Sequence, residues 1–179
     1  GATTLTYREL DDQVAAIASG LVTLGLDRGE RVGIFLDKRI ETVVASFAAA
    51  RAGGAFVPVN PILKGEQIGH ILRDCNARVL ITSPERLPLI ASTLEHCHDL
   101  RHVILTAPST KPVDLEAIGI HLWADLLASP PRAGHRVIDT DMLSILYTSG
   151  STGRPKGVVL SHRNMVTGAK SVASYLGNT

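Results

Sequence analysis

Between residues 31 and 106, short apolar runs alternate with helical stripes, and this alternation constrains the fold more than any other feature of the chain. The runs are Arg31 to Leu36, Phe56 to Val59, Arg78 to Thr82 and His102 to Thr106. Between them, Ile40, Val43, Val44 and Phe47, then Ile68, Ile71, Leu72 and Cys75, then Leu87, Ile90, Leu94 and Cys97 recur at helical spacing. Strand and helix in alternation specify an α/β fold, a largely parallel sheet with crossover helices. The runs are almost wholly apolar, as strands are when helices cover both faces of the sheet.

Local signals set the boundaries. Thr6-Tyr-Arg-Glu9 reads as a capping box, with a hydroxyl at the cap and a carboxylate three residues on. Leu10, Val14, Ile17, Leu21 and Leu24 then mark one helical face, and Gly25 stops it. Gly53-Gly54 ends the next helix, and Pro58 places its strand at a sheet edge or marks a strand end. Ser83-Pro84 reads as a cap and a first helical position. Residues 107–119 read as a loop, and 121–127 are apolar but ambiguous. Ser129-Pro-Pro-Arg-Ala-Gly134 is the best linker candidate, with an internal boundary expected near 129–136. A strand–loop–strand hairpin follows over 143–162. Ser161 then caps a last helix from about Arg163 to Leu176.

Composition excludes several classes. The chain has 179 residues, enough for one sizeable core. It is 45% hydrophobic and 20% charged, which argues against disorder. A net charge of +1 gives no basis for nucleic-acid binding by bulk electrostatics. No apolar stretch is long enough to span a bilayer, and the first residues lack the basic and apolar regions of a signal peptide. Cys75 and Cys97 form no disulfide framework and fall on predicted helix faces, so they read as buried free thiols. A reducing cytoplasm fits these features.

The hairpin loop holds the chemistry. Thr148-Ser-Gly-Ser-Thr-Gly-Arg-Pro-Lys-Gly157 contains four hydroxyls, three glycines and a lysine between two β-type runs. Glycines let backbone N–H groups close on an anion, hydroxyls add donors, and Lys156 adds a compact positive charge. The usual phosphate loop does not fit. Counted from Gly150, Pro155 stands where its second glycine belongs and Gly157 where its hydroxyl belongs. No G-x-G-x-x-G follows a strand either. Read without chemistry, the segment is a polar hairpin loop.

The loop closely resembles the signature of the adenylate-forming enzymes, which include acyl-CoA synthetases, peptide-synthetase adenylation domains and luciferases. Thr148, Ser149, Gly150, Ser151, Thr152, Gly153, Pro155, Lys156 and Gly157 match that signature, and Arg154 fills its variable slot. Leu5 to Leu10, Gly29 to Val32 and Ala52 to Val59 look like further landmarks of the family, without its specificity. The resemblance implies that residues 1–179 are the first part of a truncated AMP-binding domain, within the large N-terminal domain of a several-fold longer enzyme. It implies two steps. A carboxylate attacks the α-phosphate of ATP to give acyl-AMP and pyrophosphate, and a thiol, most often that of coenzyme A, then takes the acyl group. Thr148, Ser149, Gly150, Ser151, Thr152, Gly153 and Lys156 would bind ATP, with Lys156 steadying the leaving pyrophosphate. Mg2+ would take part, on a protein ligand past Thr179. An acyl-CoA ligase is the first reading. A peptide-synthetase adenylation domain or a fatty-acyl-AMP ligase, loading a carrier-protein thiol, is the second. A non-catalytic nucleotide-binding module is the reading from a different class.

Other candidates weigh less. His96, Cys97, His98 and His102 are spaced poorly for one metal ion. They read better as a solvated helix end, where imidazoles suit the C-terminal dipole. His162 sits just past the hairpin, either near the phosphates or supporting the helix start. The pairs Asp11/Asp12 and Asp139/Asp141 read as surface charge.

Overall fold

The computed structural model describes residues 4–110, 113–148 and 154–177. The capping box forms at the start of helix α1 (Tyr7–Thr23). The Thr6 hydroxyl accepts from the Glu9 amide at 3.2 Å, and the Glu9 carboxylate accepts from the Thr6 amide at 2.7 Å. The helix ends at Leu24, and Gly25 takes a left-handed φ of 84°.

The alternation then unfolds as β1 (Arg31–Phe35), α2 (Ile40–Ala52), β2 (Ala55–Pro58), α3 (Gly65–Asp74), β3 (Ala77–Thr82), α4 (Leu87–Leu94) and β4 (His102–Leu105). The ambiguous stretch splits into β5 (Gly119–Leu122) and α5 (Trp123–Leu127). The hairpin is β6 (Met142–Thr148) and β7 (Lys156–Ser161), and α6 (His162–Leu176) follows. Ser161 caps α6, with Asn164 closing a second capping box.

The strands form one sheet in the order β5-β4-β3-β1-β2-β6-β7. Every pairing is parallel except β6 with β7. The expected α/β fold with a largely parallel sheet is thus the observed one. Side chains on the two faces enter separate cores. Val32, Ile34, Val79 and Ile81 meet Ile17, Leu21, Val44 and Trp123 of α1, α2 and α5. Phe35, Val57 and Leu80 meet Ile68, Ile71, Leu72 and Ile90 of α3 and α4. This is a three-layer arrangement, with alternate strand residues facing opposite ways.

Several local expectations are corrected. In α2 the large apolar residues do not form the buried stripe: Val43 is 46% and Phe47 56% exposed, while Ala45, Ala48, Ala49 and Ala52 are fully buried with Val44. Small side chains let α2 lie close against α1 and the sheet, and that contact, rather than residue volume, decides which face turns inward. Ser83-Pro84 does not open a helix. The Ser83 carbonyl accepts from the Arg86 and Leu87 amides in a turn, and α4 begins at Leu87 with Pro88 in its first turn. Of the two alternatives for Pro58 the strand end holds and the sheet edge does not, since Pro58 closes β2 and β2 is interior to the sheet.

The Pro-rich segment after α5 is tied down at three points. The Arg132 amide donates to Ser19 Oγ at 3.1 Å, the His135 amide donates to the Ala52 carbonyl at 3.0 Å, and the His135 ring meets the Leu26 carbonyl at 2.8 Å. Gly53 takes φ 95° where His135 crosses it.

Candidate phosphate-binding hairpin

Of the predicted loop residues, Thr148 ends β6 and Lys156 begins β7, and the two face each other as register partners. Ser149, Gly150, Ser151, Thr152 and Gly153 lie outside the described residues. Lys156 and Thr148 are exposed, and neither side chain makes a hydrogen bond or ion pair with a described residue. A lysine free of carboxylates keeps its charge available to an incoming anion.

The hairpin root has its own packing logic. Gly157 pairs with Tyr147, and a Cβ at Gly157 would stand 2.7 Å from Ile145 Cγ2 and 3.2 Å from Tyr147 Cζ. The motif's last glycine therefore makes room for the Tyr147 ring. That ring packs beside the α3–α4 core, and its hydroxyl donates to the Asp74 carboxylate at 2.5 Å. Burial, and then that bond, raise the tyrosine's pKa, so it remains a phenol at neutral pH. On the other side of the loop, the His70 ring Nε2 donates to the Pro155 carbonyl at 3.3 Å. A cleft of about 370 Å3 lies there, lined by Glu66, Gln67, His70, Arg73, Arg154 and Pro155. A larger cavity, about 660 Å3, lies between α4 and the strand of chain before β5, away from the hairpin.

The carboxylates just before β6 are surface charges with defined partners. Asp141 takes a bidentate contact from Arg28, at 3.0 and 2.8 Å, and accepts from the Ile138 amide at 3.0 Å. The amide, with the arginine second among the favourable contacts, holds Asp141 below the usual carboxylate range. Asp139 pairs with Arg163 at 2.9 Å, which fixes the start of α6. His162 supports the helix start: its amide donates to the Asp141 carbonyl at 3.1 Å. Its ring Nε2 is buried without a hydrogen-bond partner among the described residues.

The histidine–cysteine cluster comes apart. Among the described residues no group of three or more His, Cys, Asp or Glu side chains could hold a metal. His102 meets His121 instead, Nδ1 to Nε2 at 3.1 Å, across the β4–β5 edge. Burial, and then the neighbouring His121, lower the His102 pKa. Cys75 and Cys97 are free and buried, and burial pushes the Cys75 thiol up to about 12 and raises Cys97 as well. No helix among the described residues is long and apolar enough to cross a membrane.

His70, Asp74 and Tyr147 were not legible as site residues. His70 and Asp74 stand four apart on α3, but that spacing means nothing until the topology brings α3 beside β6.

The class is that of a layered, largely parallel α/β sheet ending in an antiparallel hairpin, whose connecting sequence is rich in Gly, Ser and Thr. The family model of the AMP-binding enzymes matches residues 1–178, and the chain belongs to that family. It is 36% identical over 162 residues to tyrocidine synthase 2 of Brevibacillus parabrevis, covering 90% of this chain and 4% of that protein. It is 33% identical over 164 residues to syringomycin synthase SyrB1 of Pseudomonas syringae pv. syringae, covering 92% of this chain and 24% of that one. Among solved structures it resembles the anthranilate CoA ligase AuaEII in complex with anthranoyl-AMP, with TM-score 0.80 and 30% identity over 89% of this chain and 30% of that chain. It also resembles ATP-bound MatB from Rhodopseudomonas palustris, with TM-score 0.79 and 27% identity over 97% of this chain and 33% of that one. The chain thus spans a third or less of each of these four proteins.

Proposed function

We propose that this chain is the phosphate-gripping part of a longer AMP-forming ligase that activates a carboxylate as acyl-AMP and passes the acyl group to a thiol. The observation that supports this is the Thr148–Lys156 rung. It sets an uncommitted lysine and a hydroxyl residue at the root of the loop, at the end of the sheet's one antiparallel pair.

In the first step the carboxylate oxygen forms a bond to the α-phosphorus, and the bond from that phosphorus to the β-bridging oxygen breaks. The negative charge that develops on the departing pyrophosphate needs fixed donors. Backbone amides of Gly150 to Gly153, hydroxyls of Thr148, Ser149, Ser151 and Thr152, and the Lys156 ammonium are the groups assigned to it. Donors held in place before reaction stabilise developing charge more than mobile water does. Mg2+ accompanies the nucleotide in this reading. The described residues provide no acidic cluster for it, so no step is assigned to a metal held by them. In the second step a thiolate attacks the acyl carbonyl and AMP leaves.

Coenzyme A is the proposed acceptor, in keeping with the resemblance to the anthranilate CoA ligase structure. A carrier-protein thiol is the second reading, favoured by the peptide-synthetase relatives at 29–36% identity. A carboxylate screen by ATP–pyrophosphate exchange, on an enzyme containing this chain, tests the first step. Absence of exchange with every carboxylate in a folded enzyme would count against it. Thioester formation with coenzyme A against a phosphopantetheinylated carrier then separates the two acceptors.

A further inference from the structure

We infer that α3 is a positioning element for the phosphate hairpin, holding Lys156 in place through Asp74 and His70. The inference rests on the phosphate-binding reading of the loop and names what keeps that loop's charge where it is needed.

Asp74 and His70 stand four residues apart, so they share one face of α3. That face meets the hairpin on both sides of the loop. Asp74 accepts from the Tyr147 hydroxyl at 2.5 Å, and Tyr147 immediately precedes Thr148. His70 meets the Pro155 carbonyl at 3.3 Å, and Pro155 immediately precedes Lys156. The two contacts therefore bracket the Thr148–Lys156 rung from the same helix. Gly157 completes the arrangement, because a Cβ there would press on Ile145 and on the Tyr147 ring that carries the hydroxyl to Asp74. The helix itself is anchored, with Ile68, Ile71 and Leu72 each about 1% exposed in the core between α3 and the sheet. A rigid helix thus clasps a hairpin whose outer strand is exposed from Lys156 to Val159. Among the described residues β7 pairs on one side only, so contacts from outside the strand ladder matter to its register. Neither Asp74 nor His70 touches the nucleotide in this scheme; they act through Tyr147 and Pro155.

The test uses the whole chain with Asp74→Ala, Asp74→Asn, Tyr147→Phe and Lys156→Ala, and two readouts. The first is amide hydrogen exchange at Lys156 to Val159, which needs no ligand and reports local opening. The second is the dissociation constant for magnesium pyrophosphate. Losing a hydrogen bond to a carboxylate should speed exchange and weaken pyrophosphate binding by about tenfold each. Asp74→Asn keeps an acceptor for the Tyr147 hydroxyl and should stay near wild type, which a general packing defect would not predict. The double variant Asp74→Ala/Tyr147→Phe should be no worse than either single one. If Asp74→Ala does not fold, Tyr147→Phe removes the same bond with a smaller change. Unchanged exchange at Lys156 to Val159 in Tyr147→Phe overturns the proposal. So does faster exchange with unaltered pyrophosphate affinity where Lys156→Ala does weaken it. If Lys156→Ala leaves pyrophosphate binding unaltered, the phosphate reading of the loop fails instead, and exchange alone decides whether α3 holds the hairpin.

Discussion

In the proposed reaction, Lys156 is the residue on which the nucleotide chemistry turns. The loop's amides and hydroxyls supply dipoles, and Lys156 supplies a full charge that no described carboxylate neutralises. Lys156→Ala should reduce kcat/KM for ATP in pyrophosphate exchange by roughly ten- to a hundredfold, the value of one charge-assisted contact of about 1.5–3 kcal/mol. Unaltered kinetics in a folded variant would leave Lys156 as an ordinary surface lysine, and a loss confined to thioester formation would move it to the second step. Gly157 makes a different prediction. A methyl group there has to displace the Tyr147 ring or Ile145, so Gly157→Ala should lower stability by about 1–3 kcal/mol, as overpacking does. Urea denaturation measures this, and an unshifted midpoint would refute the steric account. Cys75 and Cys97 should react slowly with thiol reagents in the native chain, since burial holds both as thiols. Fast labelling before unfolding would contradict that burial.

At the scale of elements, the β4–β5 edge should weaken in mild acid. Folded His102 takes up its proton at lower pH than the unfolded side chain does, because of burial and the facing His121, with Arg101 adding to the effect and Glu30 opposing it. The contribution to stability is therefore full above the unfolded pKa of about 6.5 and is lost as pH falls through the folded value. The lowered carboxylates Glu9, Glu41, Glu85, Asp99 and Asp141 respond only at lower pH. Comparing the melting temperature at pH 7.5 and 5.5 in wild type and His102→Asn isolates the histidine; equal losses in both would discard it. The elements themselves were largely legible in the sequence. β1 to β4 and the capped α1 and α6 rest on local signals, periodicity and hydroxyl caps, which survive packing. What was not legible depended on close approach. The inward alanines of α2 were masked by Val43 and Phe47, whose volume promised burial they do not have. β5 is four residues long and only half-buried at best, so its strand character comes from its neighbour β4. Likewise the His70–Asp74 clasp exists only because α3, on one face of the sheet, meets β6, some seventy residues away in sequence.

At the scale of the whole chain, the proposed function makes a prediction for residues 1–179 taken alone. It covers 30% of the anthranoyl-AMP-bound ligase and 33% of the ATP-bound one. Residues 1–179 alone should therefore bind magnesium pyrophosphate yet release none from ATP with any carboxylate; carboxylate-dependent release by this chain would overturn that expectation. The order of the strands has a consequence in time as well as in space. The chain lays down β1 and β2, reverses to build β3, β4 and β5 on the far side, and only then returns across the sheet to set β6 against β2. Phe56 thus waits for Ser144, and loops that long close late and slowly. Until they close, the β2 edge stands unpaired, open to other chains as any bare strand edge is. A nascent chain halted before residue 142 already contains five strands of the sheet and the three helices of its first core, but lacks the hairpin to which phosphate binding is proposed. The proposed nucleotide grip is the last thing this sheet acquires, and bound nucleotide would then act as a late ligand that draws the final pairing to completion.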